Sequence, residues 1–149
     1  MTDDMIRALA KNGGVMGINF GEGFLNPKDA ELLKKAISNI SYNEPSLTGK
    51  ALDQYAADEA HRDLKPQQTF ATIDDAVAHI DHAVKIAGID HVGIGSDFDG
   101  ISSPPKGLED ISKMPALKAA LRKKGYSEAD VRKIFGGNTL RVLREVAGK

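Results

Sequence analysis

The amino-acid sequence predicts an α/β fold, rich in helix, with two or three buried parallel strands. Two short apolar runs, at residues 15–20 and 91–96, are typical of strands that are covered on both faces of a parallel sheet. Before each run lies a segment whose apolar residues recur at helical spacing, and parallel neighbours are normally joined through helices. This alternation of helix and strand indicates the α/β class.

The helices are predicted from their end signals as well as from their periodicity. Thr2 is an N-cap residue followed by two aspartates, and the first helix ends at 12–14, where glycines tolerate positive φ. A wide apolar stripe over 73–87 predicts a long helix that stops at Gly88. Further helices are predicted at 27–40, within 41–66, at 115–124, at 127–135 with Ser127 as its cap, and from Asn138 onward.

The length of the chain limits the architecture. A complete (β/α)8 barrel takes about 250 residues, roughly 31 per βα unit, so a chain of this length holds fewer than five units. Two convincing strands also leave exposed sheet edges, which favour oligomers or aggregation. We expect residues 1–149 to form one partial barrel domain that is part of something larger.

Composition excludes several classes of function. The 20 Lys+Arg and 21 Asp+Glu give a net charge of -1, which offers no general attraction to nucleic acid or to an anionic membrane. Without cysteine there is no disulfide, thiolate zinc site or cysteine nucleophile. No apolar run approaches the roughly 18 residues of a spanning helix, and the start lacks the basic segment of a signal peptide. Cellular location stays open.

The best candidate site follows the second strand, in the segment 93–100. Asp97 and Asp99 come where this strand ends, and functional residues of parallel α/β proteins gather at the carboxyl ends of strands. Two carboxylates so close together suit proton transfer or metal binding, but the pattern also fits an Asx-rich turn served by Gly100. A calcium loop is a weaker alternative because its distal glutamate is missing, and no nucleotide-binding glycine motif is complete.

The histidines do not predict a metal site. His79 and His82 are three residues apart on a helix, but a structural or solvated role fits better because no third ligand has suitable spacing. His91 opens the strand that ends before Asp97, so at 3.3 Å per residue the two lie about 20 Å apart. His61 receives no role. The charged runs at 122–124 and 141–145 are interpreted as solvated helix faces.

Three separate segments resemble the membrane (renal-type) dipeptidase family, peptidase family M19. They are DHVGIGSDFDG at 90–100, GLEDISKMP at 107–115 and GGNTLRV at 136–142. The segment 12–20 also fits a late barrel strand, and the similarity runs in order from about Thr2 to the end. The resemblance implies the C-terminal part of a (β/α)8 TIM-barrel metallo-dependent hydrolase, whose complete form cleaves dipeptides with two zinc ions.

The resemblance also implies roles for individual residues. Asp97 matches the family's acidic residue at the end of the last strand, which is placed to interact with the substrate amino group and to assist proton transfer. Gly100 matches a substrate-facing loop backbone, and Asp99 matches the motif without a firm role. The family's zinc ligands (a His-x-Asp pair, a bridging Glu and two further histidines) and a substrate-carboxylate arginine all precede the matching region.

Because a catalytic zinc needs about three protein ligands, we expect no metal ligand on this chain and no dipeptide hydrolysis without an N-terminal barrel half as its partner. Two other functions are open at this point. One is a non-catalytic α/β module for packing or association, and the other is a small-anion or calcium binder built on the Asp97 loop. Metal analysis separates the three functions. Zinc that binds only when an N-terminal partner is present favours the dipeptidase, and a chain that binds no metal under any condition favours the packing module. Stabilisation by calcium favours the calcium or anion binder.

Overall fold

The computed structural model describes residues 1–21, 23–31, 34, 35, 38, 70–101 and 104–148. Helices and strands alternate along this part of the chain, with 27–31, 34, 35 and 38 also helical. The helix predicted within 41–66, and His61 with it, lie outside the described residues. The elements are α1 Asp3–Lys11, β1 Met16–Asn19, α2 Ile73–Ala87, β2 Val92–Ser96, α3 Met114–Lys124, α4 Glu128–Arg132 and α5 Asn138–Ala147.

The two predicted strands are confirmed, and they pair in parallel. Met16 lies opposite Val92 and the register continues regularly to Ile18, but it then shifts so that Asn19 lies opposite Ser96. Such an irregularity bends a strand and turns its side chains to new directions. In β1–β2 the shift comes at the carboxyl ends, which is the edge where the candidate site was predicted.

The predicted helix ends are confirmed wherever a local hydrogen bond defines them. The Thr72 side chain accepts from the Asp75 backbone N–H while the Asp75 carboxylate accepts from that of Thr72, which forms a capping box at the start of α2. Gly125 ends α3 in the left-handed region, at φ 111°. The helix predicted at 127–135 is α-helical over Glu128–Arg132 and keeps a helical backbone to Ile134. Phe135 and Gly136, the latter at φ 138°, then break the backbone before α5 begins.

The core lies between the two strands and the helices that cover them, with α2 in contact with both strands, α1 and α3. Burial of this apolar surface contributes roughly 25 cal/mol per Å² to folding. The described helices are each too short or too polar to span a bilayer. Among the described residues, the largest fully buried side chains are Phe20, Ile80, Val92, Pro105, Leu108, Leu117, Leu121, Val131 and Ile134.

The last helix carries an apolar stripe that the described residues leave uncovered. Leu140, Leu143 and Val146 recur at a spacing of three, and they are 50%, 58% and 82% exposed. Single exposed apolar side chains are ordinary, whereas an aligned row of them marks a contact surface. The helix itself is where the sequence predicted it, from Asn138 to Ala147.

A polar cluster on α2 links this helix to the turn after α3. Asp81 accepts a hydrogen bond from the Tyr126 hydroxyl at 3.2 Å and forms an ion pair with Lys85 at 2.8 Å. The Lys85 hydrogen bond, supported by the charge of Lys124, holds the pKa of Asp81 below its usual value. Burial, and then the Asp81 charge, raise the pKa of Tyr126 to about 12.

This cluster predicts a loss of stability at both ends of the pH range. The lowered pKa of Asp81 stabilises the fold above the usual carboxyl value of about 3.8, and this contribution disappears as pH falls through the lowered value. The raised pKa of Tyr126 stabilises the fold below about pH 10, and this contribution disappears as pH rises toward about 12. We expect Asp81→Asn to reduce the acid slope and Tyr126→Phe the alkaline slope of the unfolding free energy, measured by urea titration. Unchanged slopes would contradict the assignment.

Candidate active site

Parallel pairing brings the ends of β1 and β2 to one edge, where two polar side chains meet. The Asn19 amide nitrogen donates to Asp97 Oδ2 at 2.9 Å, although the two residues are 78 positions apart in the sequence. Asp97 lies immediately after β2 and is exposed, as the sequence predicted for this edge. The structure therefore gives the predicted carboxylate a partner on the neighbouring strand.

Asn19 is a site residue that sequence reasoning missed. It was included in an apolar run, yet it is a polar residue that interrupts this run one position before Phe20. Because the ends of parallel strands share one edge of a sheet, a polar residue there is a usable signal. This signal marks Asn19 as a candidate, but its contact with Asp97 could be predicted only with knowledge of the strand register.

The loop after Asp97 turns back sharply on it. Gly100 N–H donates to the Asp97 carbonyl at 3.0 Å, and a Cβ built on Gly100 would lie 2.6 Å from Asp97 Oδ1. The Gly100 α-carbon thus faces the carboxylate, and only glycine fits there without displacing it. Asp99 is exposed in the same loop, while Phe98 packs edge-on against the buried Phe20 at 5.8 Å between ring centroids.

The histidines are spread over separate structural contacts. His79 Nε2 is 3.2 Å from the Leu25 carbonyl, and His82 Nε2 is 2.9 Å from an Asp3 carboxylate oxygen. His91 Nδ1 is 2.8 Å from the Gly14 carbonyl, at the end of the strands opposite Asp97. The structural interpretation of these side chains is supported by their contacts.

A zinc ion does not fit the described residues. They contain no group of three or more His, Asp or Glu side chains that could hold a metal ion. A catalytic zinc takes about three such ligands.

The motif at 136–142 forms hydrogen bonds at the amino ends of the strands, opposite the edge that holds Asp97. Asn138 is 3% exposed, and its amide nitrogen donates to the carbonyls of Ile89 at 2.7 Å and Val92 at 2.8 Å. Arg141 donates to the Gly13 carbonyl at 3.0 Å, and it also donates to the Asp90 carbonyl. The interpretation of 141–145 as a solvated face is therefore wrong for Arg141, because its guanidinium ties α5 to the loops that lead into both strands.

Comparison with known proteins is consistent with these motifs. Residues 1–148 match the family described as Membrane dipeptidase (Peptidase family M19). An uncharacterized dipeptidase of Schizosaccharomyces pombe is 34% identical over 96% of this chain and 26% of its own length. A dipeptidase of Aspergillus terreus is 33% identical over 98% of this chain and 26% of its own length. The chain thus spans about a quarter of the length of these relatives.

Two solved structures share the fold. The probable dipeptidase PvdM from Pseudomonas aeruginosa is 27% identical with a TM-score of 0.71, over 95% of this chain and 39% of its own. A metallo peptidase from Rhodobacter sphaeroides, liganded with a phosphinate mimic of the dipeptide L-Ala-D-Ala, is 27% identical with a TM-score of 0.65. That match covers 97% of this chain and 30% of the Rhodobacter chain.

Proposed function

This chain belongs to the membrane dipeptidase family, peptidase family M19, and from that premise we propose that it supplies the Asp97 side of a dipeptide-hydrolysing active site. The predicted family and the predicted fold, part of a TIM-barrel metallo-dependent hydrolase, are confirmed. The observation that carries the proposal is the exposed Asp97 carboxylate, held by Asn19 at the carboxyl ends of two parallel strands.

Asp97 has the chemistry to receive the amino end of a dipeptide. Its carboxylate is exposed, and a protonated amine offers three N–H donors for charge-assisted hydrogen bonds. Gly100 supplies loop backbone beside the same carboxylate. The dipeptide mimic bound by the Rhodobacter relative supports this class of substrate. In our proposal Asp97 binds the substrate ammonium and carries a proton on the amino side of the cleaved bond.

The metal chemistry of the family is proposed to reside outside this chain. Zinc would supply a bound water of lowered pKa and polarise the peptide carbonyl. Since the described residues lack a ligand cluster, we propose that residues 1–149 form the C-terminal part of the barrel domain and that an N-terminal barrel half brings the zinc ligands. Accordingly, the chain alone does not hydrolyse dipeptides.

A non-catalytic association module is the second candidate. The exposed stripe of Leu140, Leu143 and Val146 favours it, because such a row of apolar side chains suits packing against another polypeptide. The same stripe is compatible with the dipeptidase proposal, in which the other barrel half covers it. A homo-oligomer formed through this stripe belongs to the module proposal.

The two candidates are separated by complementation. The chain is assayed for L-Ala-D-Ala hydrolysis with zinc, first alone and then mixed with an N-terminal half from a dipeptidase relative. We expect turnover only in the mixture, and Asp97→Asn should lower it by at least about 100-fold because it removes both the charge and the proton carrier. The matched control is Asp99→Asn, which changes the other exposed carboxylate of the same loop and should change turnover by less than about threefold.

Hydrolysis by the chain alone in the presence of zinc would overturn the proposal that the zinc ligands lie on a separate N-terminal half. Equal losses in Asp97→Asn and Asp99→Asn would overturn the role of Asp97. Association of the two halves without any turnover would support the packing module instead.

A further inference from the structure

The Asn19 side chain is oriented by two hydrogen bonds of opposite sense. Its amide oxygen accepts from Gly21 N–H at 2.6 Å, and its amide nitrogen donates to Asp97 Oδ2 at 2.9 Å. Because the backbone N–H of Gly21 can only donate, the oxygen must face it, and the NH2 group must face Asp97. Asn19 therefore presents a donor to the carboxylate in a fixed direction.

Asp97 occupies a backbone conformation that is costly for a residue with a side chain. Ser96 and Asp97 have φ values of 40° and 75°, the only positive values among the described residues other than glycine. Such conformations are strained and persist where surrounding contacts enforce them. Phe20 N–H donates to the Ser96 carbonyl at 2.9 Å, and Gly100 N–H donates to that of Asp97.

One hydrogen bond and one glycine define where the carboxylate lies. Asn19 donates to Oδ2, and the missing side chain of Gly100 leaves room for Oδ1, because a Cβ on Gly100 would lie 2.6 Å from that oxygen. The strand register contributes as well, since the shift after Ile18 brings Asn19 opposite Ser96. The hydrogen bond from Asn19, and the register that sets it, thus favour one orientation of the carboxylate without help from a ligand.

We propose that Asn19 is a positioning residue, which fixes the Asp97 carboxylate in a single orientation before any substrate binds. Its value for catalysis rests on the proposed function, because pre-orientation lowers the entropy cost of binding the substrate ammonium. The orientation itself is a property of this chain and is measurable without activity.

Three variants isolate the contact. Asn19→Asp keeps an oxygen for Gly21 N–H but replaces the donor by a carboxylate that repels Asp97. The reciprocal variant, Asn19→Asp with Asp97→Asn, restores one donor and one acceptor in the reverse direction. The matched control is Asn12→Asp, since Asn12 caps Gly14 N–H at 2.9 Å with the same two-residue geometry at the other end of β1.

The readout is the χ1 angle of residue 97, from three-bond NMR couplings of its side-chain carbonyl carbon in the 149-residue chain. We expect one rotamer in the parent chain, in Asn12→Asp and in the reciprocal variant, and rotamer averaging in Asn19→Asp. Asn19→Asp removes the charge-assisted hydrogen bond between residue 19 and Asp97, and this loss should loosen the turn that Gly100 N–H closes on the Asp97 carbonyl. Amide hydrogen exchange of Gly100 should therefore become roughly tenfold faster in this variant alone. If Asn19→Asp does not fold, the reciprocal variant decides, because a folded chain with one rotamer supports the proposal.

A single rotamer in Asn19→Asp, or averaging in the reciprocal variant, would overturn the inference whatever the activity of the complemented enzyme. Conversely, an absence of dipeptide turnover when the unmutated chain is mixed with the N-terminal half of a relative would count against the proposed function. That outcome would leave the rotamer result unaffected.

Discussion

Asn138→Asp is expected to lower the free energy of unfolding by about 3–5 kcal/mol, which is a large part of the stability of a typical domain. The change is nearly isosteric, so packing is preserved and only the hydrogen-bonding character is altered. In the parent chain the buried amide nitrogen donates to the carbonyls of Ile89 and Val92. An aspartate would place a negative oxygen against both carbonyls in a site that is 3% exposed.

The expected loss has an internal pH test. In the variant, a protonated carboxyl at position 138 has one O–H that can donate to one of the two carbonyls, so the deficit relative to the parent should shrink as the solution is acidified. Asn26→Asp is the matched control, since the Asn26 side-chain oxygen accepts from Lys28 N–H at 3.0 Å and aspartate can do the same. Chemical unfolding followed by circular dichroism measures both variants. Equal, small effects would refute the assigned role of Asn138.

Asp29→Asn is expected to lower the free energy of unfolding by about 2–4 kcal/mol. Asp29 is 4% exposed, and its carboxylate oxygens accept from Phe70 N–H at 2.8 Å and from Ala71 N–H at 2.8 Å. An asparagine keeps one acceptor oxygen but turns an NH2 group toward a backbone N–H. The single amide oxygen, in the place of Oδ2, lies 3.1 Å from Phe70 N and 2.8 Å from Ala71 N, so both donors must share one uncharged acceptor. Hydrogen bonds to a charged carboxylate are roughly twice as strong as those to a neutral oxygen, and this difference is lost at both donors.

The position of Asp29 explains why the effect should be large. Its contacts join the helical segment 27–31 to the residues that lead into α2, across 41 positions of sequence. Asp4→Asn provides the comparison, because its ion pair with Arg7 involves a side chain that is 93% exposed and should be worth less than about 1 kcal/mol. Thermal unfolding of the two variants under one buffer gives the difference. If Asp29→Asn lowers the free energy of unfolding no more than Asp4→Asn does, the stabilising role assigned to Asp29 is wrong.

Several features were predictable because they depend on neighbours in the sequence. The caps at Thr2 and Ser127 and the stop at Gly88 each use atoms within a few residues of one another. The two buried strands were recognisable as apolar runs, and the rule that parallel strands end at a common edge placed Asp97 there. The Ser127 helix ends close to the predicted Phe135, since the backbone becomes non-helical at Phe135 and Gly136.

The sequence by itself determined the α/β class, the helix ends, the parallel strand pair and the family, since each is encoded in short segments with a local physical meaning. Only the tertiary structure decided which polar groups meet: Asn19 with Asp97, Asn138 with Val92, and Arg141 with Gly13. These pairs are 78, 46 and 128 positions apart, and they form only after the strand register and the docking of α5 are set. An amide or guanidinium side chain can form a hydrogen bond with any suitable partner within about 3 Å. Which partner it finds therefore depends on how the elements pack and not on the residue type.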